Sequence, residues 1–409
     1  MNSRMYSLGS KRSIIREIFE FGKKRAAEVG ADKVFDFSLG NPSVEPPAVV
    51  KETLKALLES GDQTALHGYT SAQGDPATRK AIADYIAKTQ GAETDPDLIY
   101  MTCGAAASLT ITLSAICNAG DEVITFAPFF TEYRVFTETA GAKLIELASD
   151  PDTFQIDFSL LEKAVNERTA AVLINSPNNP SGVVYGEETI KKLAAFLEKK
   201  SLELKKEIWL ITDEPYRELV YGGVRVPYLT KYYKNTVVCY SYSKSLSLPG
   251  ERIGYIFINP HAENAKELYL AVCGAGRALG YVCAPSLFQK MIAKCQGAVS
   301  DVSVYERNRD MLAGALEEYG YRCVRPDGAF YLFVKSLEED AYAFCERAKK
   351  YGLLLVPGDD FGCKGYVRIA YCVSPDMISR SLPYFKKLAE EYGRQKSWET
   401  PPQGVMGKK

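Results

Sequence analysis

Between residues 96 and 260 the chain repeats one pattern, a short run of apolar residues followed by a longer amphipathic segment. The runs are LIYMTC, EVITF, AAVLIN, EIWLITD, TVVCYS and RIGYIFI. They are apolar throughout instead of alternating, as suits a strand covered on both faces. The segments between them, such as ETIKKLAAFLEKK, have apolar residues at helical spacing. This succession predicts an α/β fold whose large domain has a mostly parallel sheet covered by helices. Antiparallel pairing of one strand is compatible with the same pattern.

The flanks read differently. Ile15, Phe19, Gly22, Ala26 and Val29 recur at helical spacing and predict an amphipathic helix over 11–29. After Pro285 come two helical stretches, SLFQKMIAKC and ERNRDMLAGALEEYG, and then GAFYLFV, LLLVPG and YVRIAYC. That order predicts a second, smaller α+β domain. The expected division is a segment 1–45 joining the small domain, a large ligand-binding domain over 46–290, a small domain over 291–395, and a flexible tail over 396–409. A chain of 409 residues is long enough for two such domains.

Composition removes several functions. A net charge of −1 creates no field that would draw nucleic acid or an anionic membrane. The apolar runs are strand-sized, so no transmembrane helix is expected, and the N-terminus has no uninterrupted apolar stretch of signal-peptide type. The ten cysteines are scattered singly, without a C-x-x-C pair, which suits a reducing cytoplasm. Only two histidines, His67 and His261, are present. A histidine-rich metal site is excluded, no metal is expected, and a Ser-His-Asp triad would have to rest on one of those two.

In open α/β sheets ligands gather outside the carboxyl ends of the strands. The residues that follow each apolar run are therefore the informative ones. After LIYMTC, the small residues Gly104 to Ser108 open a helix, whose free N–H groups and dipole can hold a phosphate; they are equally a tight turn. After EVITF, Phe129 and Phe130 could stack on a planar ligand or fill the core. After AAVLIN comes SPNNPSG, a turn-rich segment in which two prolines bracket Asn179. After EIWLIT, Asp213 ends a buried strand and needs a cationic or N–H partner, unless it caps a helix. After TVVCYS, Lys244 stands among hydroxyl residues with Arg252 eight positions on. Most lysines are solvated surface charges. One that is desolvated near other cations has a lowered pKa and a nucleophilic amine.

Taken together, these strand ends offer a phosphate cradle, an aromatic, an Asn, an acid with a nearby Tyr216, and a lysine. Pyridoxal phosphate needs that set: a lysine to carry it as a Schiff base, an acid to keep its pyridine nitrogen protonated, and anchors for phosphate and ring.

The stretches NSPNNPSG, DEPY and SYSKSLSLPGERIG, in this order between FSLGNPS and YVRIAYC, resemble the class I/II aminotransferases of the aspartate aminotransferase superfamily, the fold type I pyridoxal-phosphate enzymes. The likeness runs from about residue 40 to about residue 370. It implies that Lys244 bonds the cofactor and shuttles a proton, that Asp213 pairs with the pyridine nitrogen, and that Tyr216 and Asn179 bond the ring's phenolic oxygen. It implies further that Phe130 stacks on the ring, where Tyr or Trp is commoner, and that Ala105 and Ala106 offer backbone N–H groups to the phosphate. Ser241, Ser243 and Arg252 would join them, and Tyr69 would reach the phosphate from the neighbouring subunit of a homodimer. Arg368 resembles the arginine that clamps the substrate carboxylate through two parallel bonds. Gly40 would let backbone approach that carboxylate. Arg277, in GAGRALGYVCAP, lies near the place from which dicarboxylate-specific members hold the distal carboxylate, with a different spacing to the proline, and a structural ion pair is the other reading.

The activity so implied is a two-stage, ping-pong transfer of an amino group between an L-amino acid and a 2-oxo acid, with aspartate/glutamate, aromatic or broad specificity. A C–S β-lyase and a synthase acting on a sulfonium amino acid share the same scaffold. A regulatory or binding protein built on an inactive domain of this kind is the alternative of another class. The presence of Lys244, Asp213, Tyr216, Asn179, Arg252 and Arg368, with no DNA-binding segment attached, speaks against it.

Overall fold

A computed structural model describes residues 1–10 and 14–399. Six of the apolar runs form strands of one seven-stranded sheet: Ile99–Thr102, Glu122–Ala127, Thr169–Asn175, Trp209–Asp213, Thr236–Ser241 and Gly254–Ile258. Every residue of Thr169–Asn175, Thr236–Ser241 and Gly254–Ile258 is buried, because helices cover both faces. Gly254–Ile258 runs antiparallel to both of its neighbours, and the other pairings in this sheet are parallel.

The seventh strand, Lys143–Ala148, lies at the sheet edge beside Glu122–Ala127. Its sequence KLIELA has no buried residue. An edge strand with solvent on one side does not produce the continuous apolar run that marks its neighbours.

A second sheet of four strands has the order Val356–Pro357, Tyr366–Ala370, Tyr331–Lys335, Arg322–Cys323, with antiparallel pairing throughout. A large apolar cluster packs around it, including Tyr305, Leu312, Phe330, Phe344, Ile369 and Phe385. The N-terminal segment joins this sheet's surroundings: Phe35–Asp36 pairs in parallel with Leu353–Leu354, and the Ala370 N–H donates to the Phe37 carbonyl. The preceding helix, Ile14–Val29, approaches closely enough that a Cβ on Gly22 would lie 2.6 Å from Leu354.

The C-terminal helix runs Pro375–Glu399, so residues 396–399 of the stretch read as a tail are helical, while 400–409 lie outside the described residues. Residues 11–13 of the expected N-terminal helix lie outside them as well. Among the described residues no helix is long and apolar enough to cross a membrane, and no group of three or more His, Cys, Asp or Glu could hold a metal ion.

Candidate active site

The carboxyl ends of the parallel strands and the central strands of the four-stranded sheet enclose a cavity of about 290 Å³. Its walls bring together Gly40, Ala105, Ala106, Phe130, Asn179, Asp213, Tyr216, Ser241, Ser243, Lys244, Arg252 and Arg368. These residues come from widely separated parts of the sequence.

Asp213 is the last residue of its strand and only 4% exposed. One carboxylate oxygen accepts from the Tyr133 hydroxyl at 2.6 Å, and the other, Oδ1, has no partner among the described residues. Burial pushes its carboxyl up to about 7, Tyr133 opposes that, and the neighbouring Glu214 charge adds to it. A buried carboxylate left half-satisfied is costly, and a cationic or N–H ligand group would relieve it.

Lys244 sits in a four-residue helical turn, Tyr242–Ser245, directly after the strand Thr236–Ser241. The Ser241 side chain caps that turn by accepting from the Ser243 N–H at 3.2 Å. The lysine Nζ donates to the Gly40 carbonyl at 2.6 Å and lies 5.3 Å from the centre of the Phe330 ring. Its pKa is drawn down to about 8, chiefly by burial; Cys372 opposes the change, and the Arg252 and Arg368 charges reinforce it. An amine in this condition is available as the free base near neutral pH, as a nucleophile requires.

One wall of the cavity is the start of the helix Ala105–Ile116, which has no side-chain cap. Gly104 precedes it at φ 90°, and a Cβ there would lie 2.8 Å from an Arg252 Nη. Glycine is thus required both by the backbone conformation and by the approach of the guanidinium. Arg252 donates to the Ser243 hydroxyl at 3.3 Å and to the Pro249 carbonyl at 3.0 Å, and the Ser241 and Ser243 hydroxyls are 2.7 Å apart.

Arg368 is 3% exposed, on a central strand of the four-stranded sheet. It donates to Asn179 Oδ1 at 3.1 Å and to the Ser38 carbonyl at 2.6 Å, while its Nε has no partner among the described residues. Its guanidinium lies between the Tyr331 and Phe361 rings, 4.7 and 5.0 Å from their centres. Gly40 has a steric role, since a Cβ there would come within 1.8 Å of the Tyr331 hydroxyl.

Tyr69 and Arg277 do not line this cavity. Tyr69 is 99% exposed, and Arg277 is exposed at the end of the helix Ala265–Ala278. Their surroundings touch: the Thr70 carbonyl accepts from the Cys283 thiol at 3.3 Å, and the Thr70 hydroxyl accepts from Gln289 at 3.2 Å.

Several contributors are missing from the sequence reading. Asn175 donates to the Asp213 carbonyl at 2.7 Å and accepts from the Asn179 N–H at 2.6 Å. It ends a buried apolar strand, the same signal that singled out Asp213. Tyr133, Tyr331 and Ile15 carry no such signal, because an apolar or aromatic residue in an apolar stretch reads as core.

The residues fit pyridoxal phosphate: an orphaned acid oxygen, a half-free arginine, an uncapped helix start with a nearby arginine, and a lysine of lowered pKa all face one cavity. Comparison with known proteins agrees. Residues 32–383 match the family described as aminotransferase class I and II. A solved amino transferase from Eubacterium rectale superposes with a TM-score of 0.94 at 59% identity, covering 96% of this chain and 99% of that one. The aspartate aminotransferase of Thermus thermophilus, solved with maleate, gives a TM-score of 0.83 at 25% identity, covering 95% and 99%. A probable aspartate/prephenate aminotransferase of Aquifex aeolicus is 30% identical, with 88% of this chain and 91% of that protein covered. The chain belongs to the class I and II aminotransferases, of fold type I. It is an enzyme of a family that transfers amino groups with pyridoxal phosphate.

Proposed function

We propose that the cavity binds pyridoxal phosphate and one substrate at a time, and that Lys244 is the residue through which amino groups pass between an L-amino acid and a 2-oxo acid. The observation that carries this reading is the convergence of Lys244, of lowered pKa, with the half-satisfied Asp213 and Arg368 on one cavity. When bound, the cofactor supplies a carbonyl carbon and an electron-withdrawing ring.

The chain's own residues do the rest. Lys244 would hold the cofactor through its amine and, when released from it, would carry a proton to and from the substrate α-carbon. Asp213 holds the pyridine nitrogen protonated, with Tyr133 fixing the carboxylate's orientation. Tyr216 and Asn179 hold the phenolic oxygen and Phe130 covers the ring. The N–H groups of Ala105 and Ala106, with Ser241, Ser243 and Arg252, hold the phosphate. Arg368 clamps the substrate α-carboxylate, aided by the Gly40 backbone. The oxo acid leaves before the second substrate binds, which makes the kinetics ping-pong.

The same reading takes 46–290 and 291–395 as two domains, with 1–45 joined to the second, so that the cavity lies between them. It takes the enzyme as a homodimer in which Tyr69 reaches the partner's phosphate site. The exposure of Tyr69, Leu270, Tyr281 and Val282 supports an interface there. Ten free cysteines suit a cytoplasmic location. Relatives named for aspartate, prephenate and aromatic amino acids suggest a broad or dicarboxylate-preferring site. Ile15, Leu109 and Phe130 supply apolar walls for an aromatic side chain, and Arg277 of a partner subunit would supply the charge for a distal carboxylate.

An amino-donor screen with 2-oxoglutarate, following oxo-acid product against ammonia or thiol release, tests the reading. Oxo acid formed in step with glutamate is expected, and release of ammonia or thiol without it overturns transfer in favour of a lyase. Borohydride reduction is expected to fix the cofactor on Lys244.

A further inference from the structure

Tyr331 lines the cavity and touches both Tyr216 and Arg368. It is 3% exposed on the strand Tyr331–Lys335, with its hydroxyl 3.0 Å from the Tyr216 hydroxyl and its ring stacked 4.7 Å from the Arg368 guanidinium. Its ring and that of Tyr216 meet edge to face, 5.8 Å apart at 82°. Space for the hydroxyl exists only because residue 40 is glycine, since a Cβ there would lie 1.8 Å from it. The chain therefore gives up a side chain at position 40 to admit this phenol.

Each phenol carries one hydrogen, and the bond between them uses one of the two. Burial holds both phenols neutral, with Tyr331 pushed up to about 12 and Tyr216 raised well above its ordinary value. A 3.0 Å separation admits either hydroxyl as donor, and the Arg368 charge favours the arrangement in which the Tyr331 hydrogen points away from it, toward Tyr216. Tyr216 then keeps its own hydrogen for a ligand oxygen in the cavity.

We propose that Tyr331 is a positioning residue acting on cofactor and substrate alike: its hydroxyl donates to Tyr216 and frees that residue's proton for the cofactor's phenolic oxygen, while its ring seats Arg368 for the substrate carboxylate. The inference rests on the proposed function of the cavity. It assigns two separable tasks to one residue, the first to the hydroxyl and the second to the ring.

The test uses the cofactor-bound enzyme and the variants Tyr331→Phe, Tyr331→Leu, Tyr216→Phe and the double Tyr216→Phe/Tyr331→Phe. Two quantities are read: the pH midpoint of the bound cofactor's visible absorption, and KM separately from kcat for the amino donor. A donor to the phenolic oxygen competes for the electron density that holds the proton shared with the lysine nitrogen, so weakening that donor raises the midpoint. Tyr331→Phe is expected to raise it by about half a unit to one unit while leaving KM within about two-fold. Tyr331→Leu is expected to raise the midpoint equally and KM by about ten-fold, because the guanidinium loses its stacking face. The double variant is expected to titrate as Tyr216→Phe alone.

A midpoint unmoved in both Tyr331 variants, or a double variant in which the shifts add, overturns the inference. An equal rise in KM for Phe and Leu overturns the division of tasks. Because Tyr331→Leu also lacks the hydroxyl, the midpoint can be read even if Tyr331→Phe does not fold. Failure of the wild-type protein to take up cofactor overturns the underlying reading. Cofactor uptake and transfer with an unmoved midpoint overturn only the role of Tyr331.

Discussion

Asp213 and Glu214 are neighbours in sequence and are both buried, at 4% and 1% exposure, yet the chain treats their charges in opposite ways. Glu214 accepts from the Thr212 hydroxyl at 2.9 Å and from the Arg217 guanidinium, which is itself stacked between Tyr228 and Tyr240 at 4.8 and 4.9 Å. Glu214 thus finds its cation within the fold, although Arg217 Nη2, in ion-pair contact with that carboxylate, makes no hydrogen bond among the described residues. Asp213 has one oxygen on Tyr133 and the other without a partner among the described residues, and it faces the cavity. Burial alone therefore does not mark a functional charge. The mark is a buried charge whose partners run out at a cavity wall.

The comparison can be broken from either side. The largest effect is expected at Lys244. Replacing it with Ala removes both the nucleophile and the proton carrier, so transfer should fall by at least about 10,000-fold. The far-ultraviolet circular dichroism should be unchanged, and transfer retained by that variant would end the assignment. Arg217→Leu comes next, with its loss in stability instead of chemistry. It strands the Glu214 carboxylate in the interior, a penalty of about 3–5 kcal/mol. Urea unfolding should show that loss whether or not cofactor is present. A variant as stable as wild type would mean that the pair does not depend on its own members.

These two groups also differ in how far the sequence announces them. The six strands with continuous apolar runs are legible because burial on both faces leaves that pattern, and the edge strand Lys143–Ala148 is not, because solvent on one side erases it. Asp213, Asn179, Lys244 and Arg252 could be singled out by one positional argument, since each follows a buried run. Asn175 obeys the same argument and was passed over as the end of its strand. Tyr133 and Tyr331 give no local signal, because a tyrosine within an apolar stretch looks like core, and only the fold brings its hydroxyl to Asp213 or Tyr216. Tyr69 and Arg277 lie outside the cavity, so the single chain assigns them no part in it.

Arg368 sharpens the contrast at the substrate end. Two of its nitrogens are used by Asn179 and the Ser38 carbonyl, and Nε is left over. Arg368→Lys keeps the charge but loses the planar fork, at about 2 kcal/mol, or roughly a thirty-fold rise in KM for the amino donor. Cofactor uptake should be unaffected, since this residue lies at the opposite end from the phosphate cradle. An unchanged KM would place the carboxylate elsewhere.

A further expected effect is a pH dependence of the cofactor-free protein. The Asp213 carboxyl is raised from 3.8 to about 7, so between those values the folded state holds a proton that the unfolded chain has released. Its contribution to stability is present below 3.8 and is lost as pH rises toward about 7. Lys244 is lowered from 10.5 to about 8, so between those values the unfolded chain holds the extra proton, and stability is gained as pH rises through that window. Both buried groups are charged between about 7 and about 8, and the cofactor-free protein should there be at its weakest with respect to this pair. Each contribution should amount to about 3–4 kcal/mol across its window. Thermal midpoints of wild type, Asp213→Asn and Lys244→Met, measured without cofactor from acid to alkaline pH, isolate the two contributions. The difference between wild type and Asp213→Asn should grow through the acid window, and that between wild type and Lys244→Met should shrink through the alkaline one. Differences flat across both windows would place these charges with Glu214, among those the fold completes for itself.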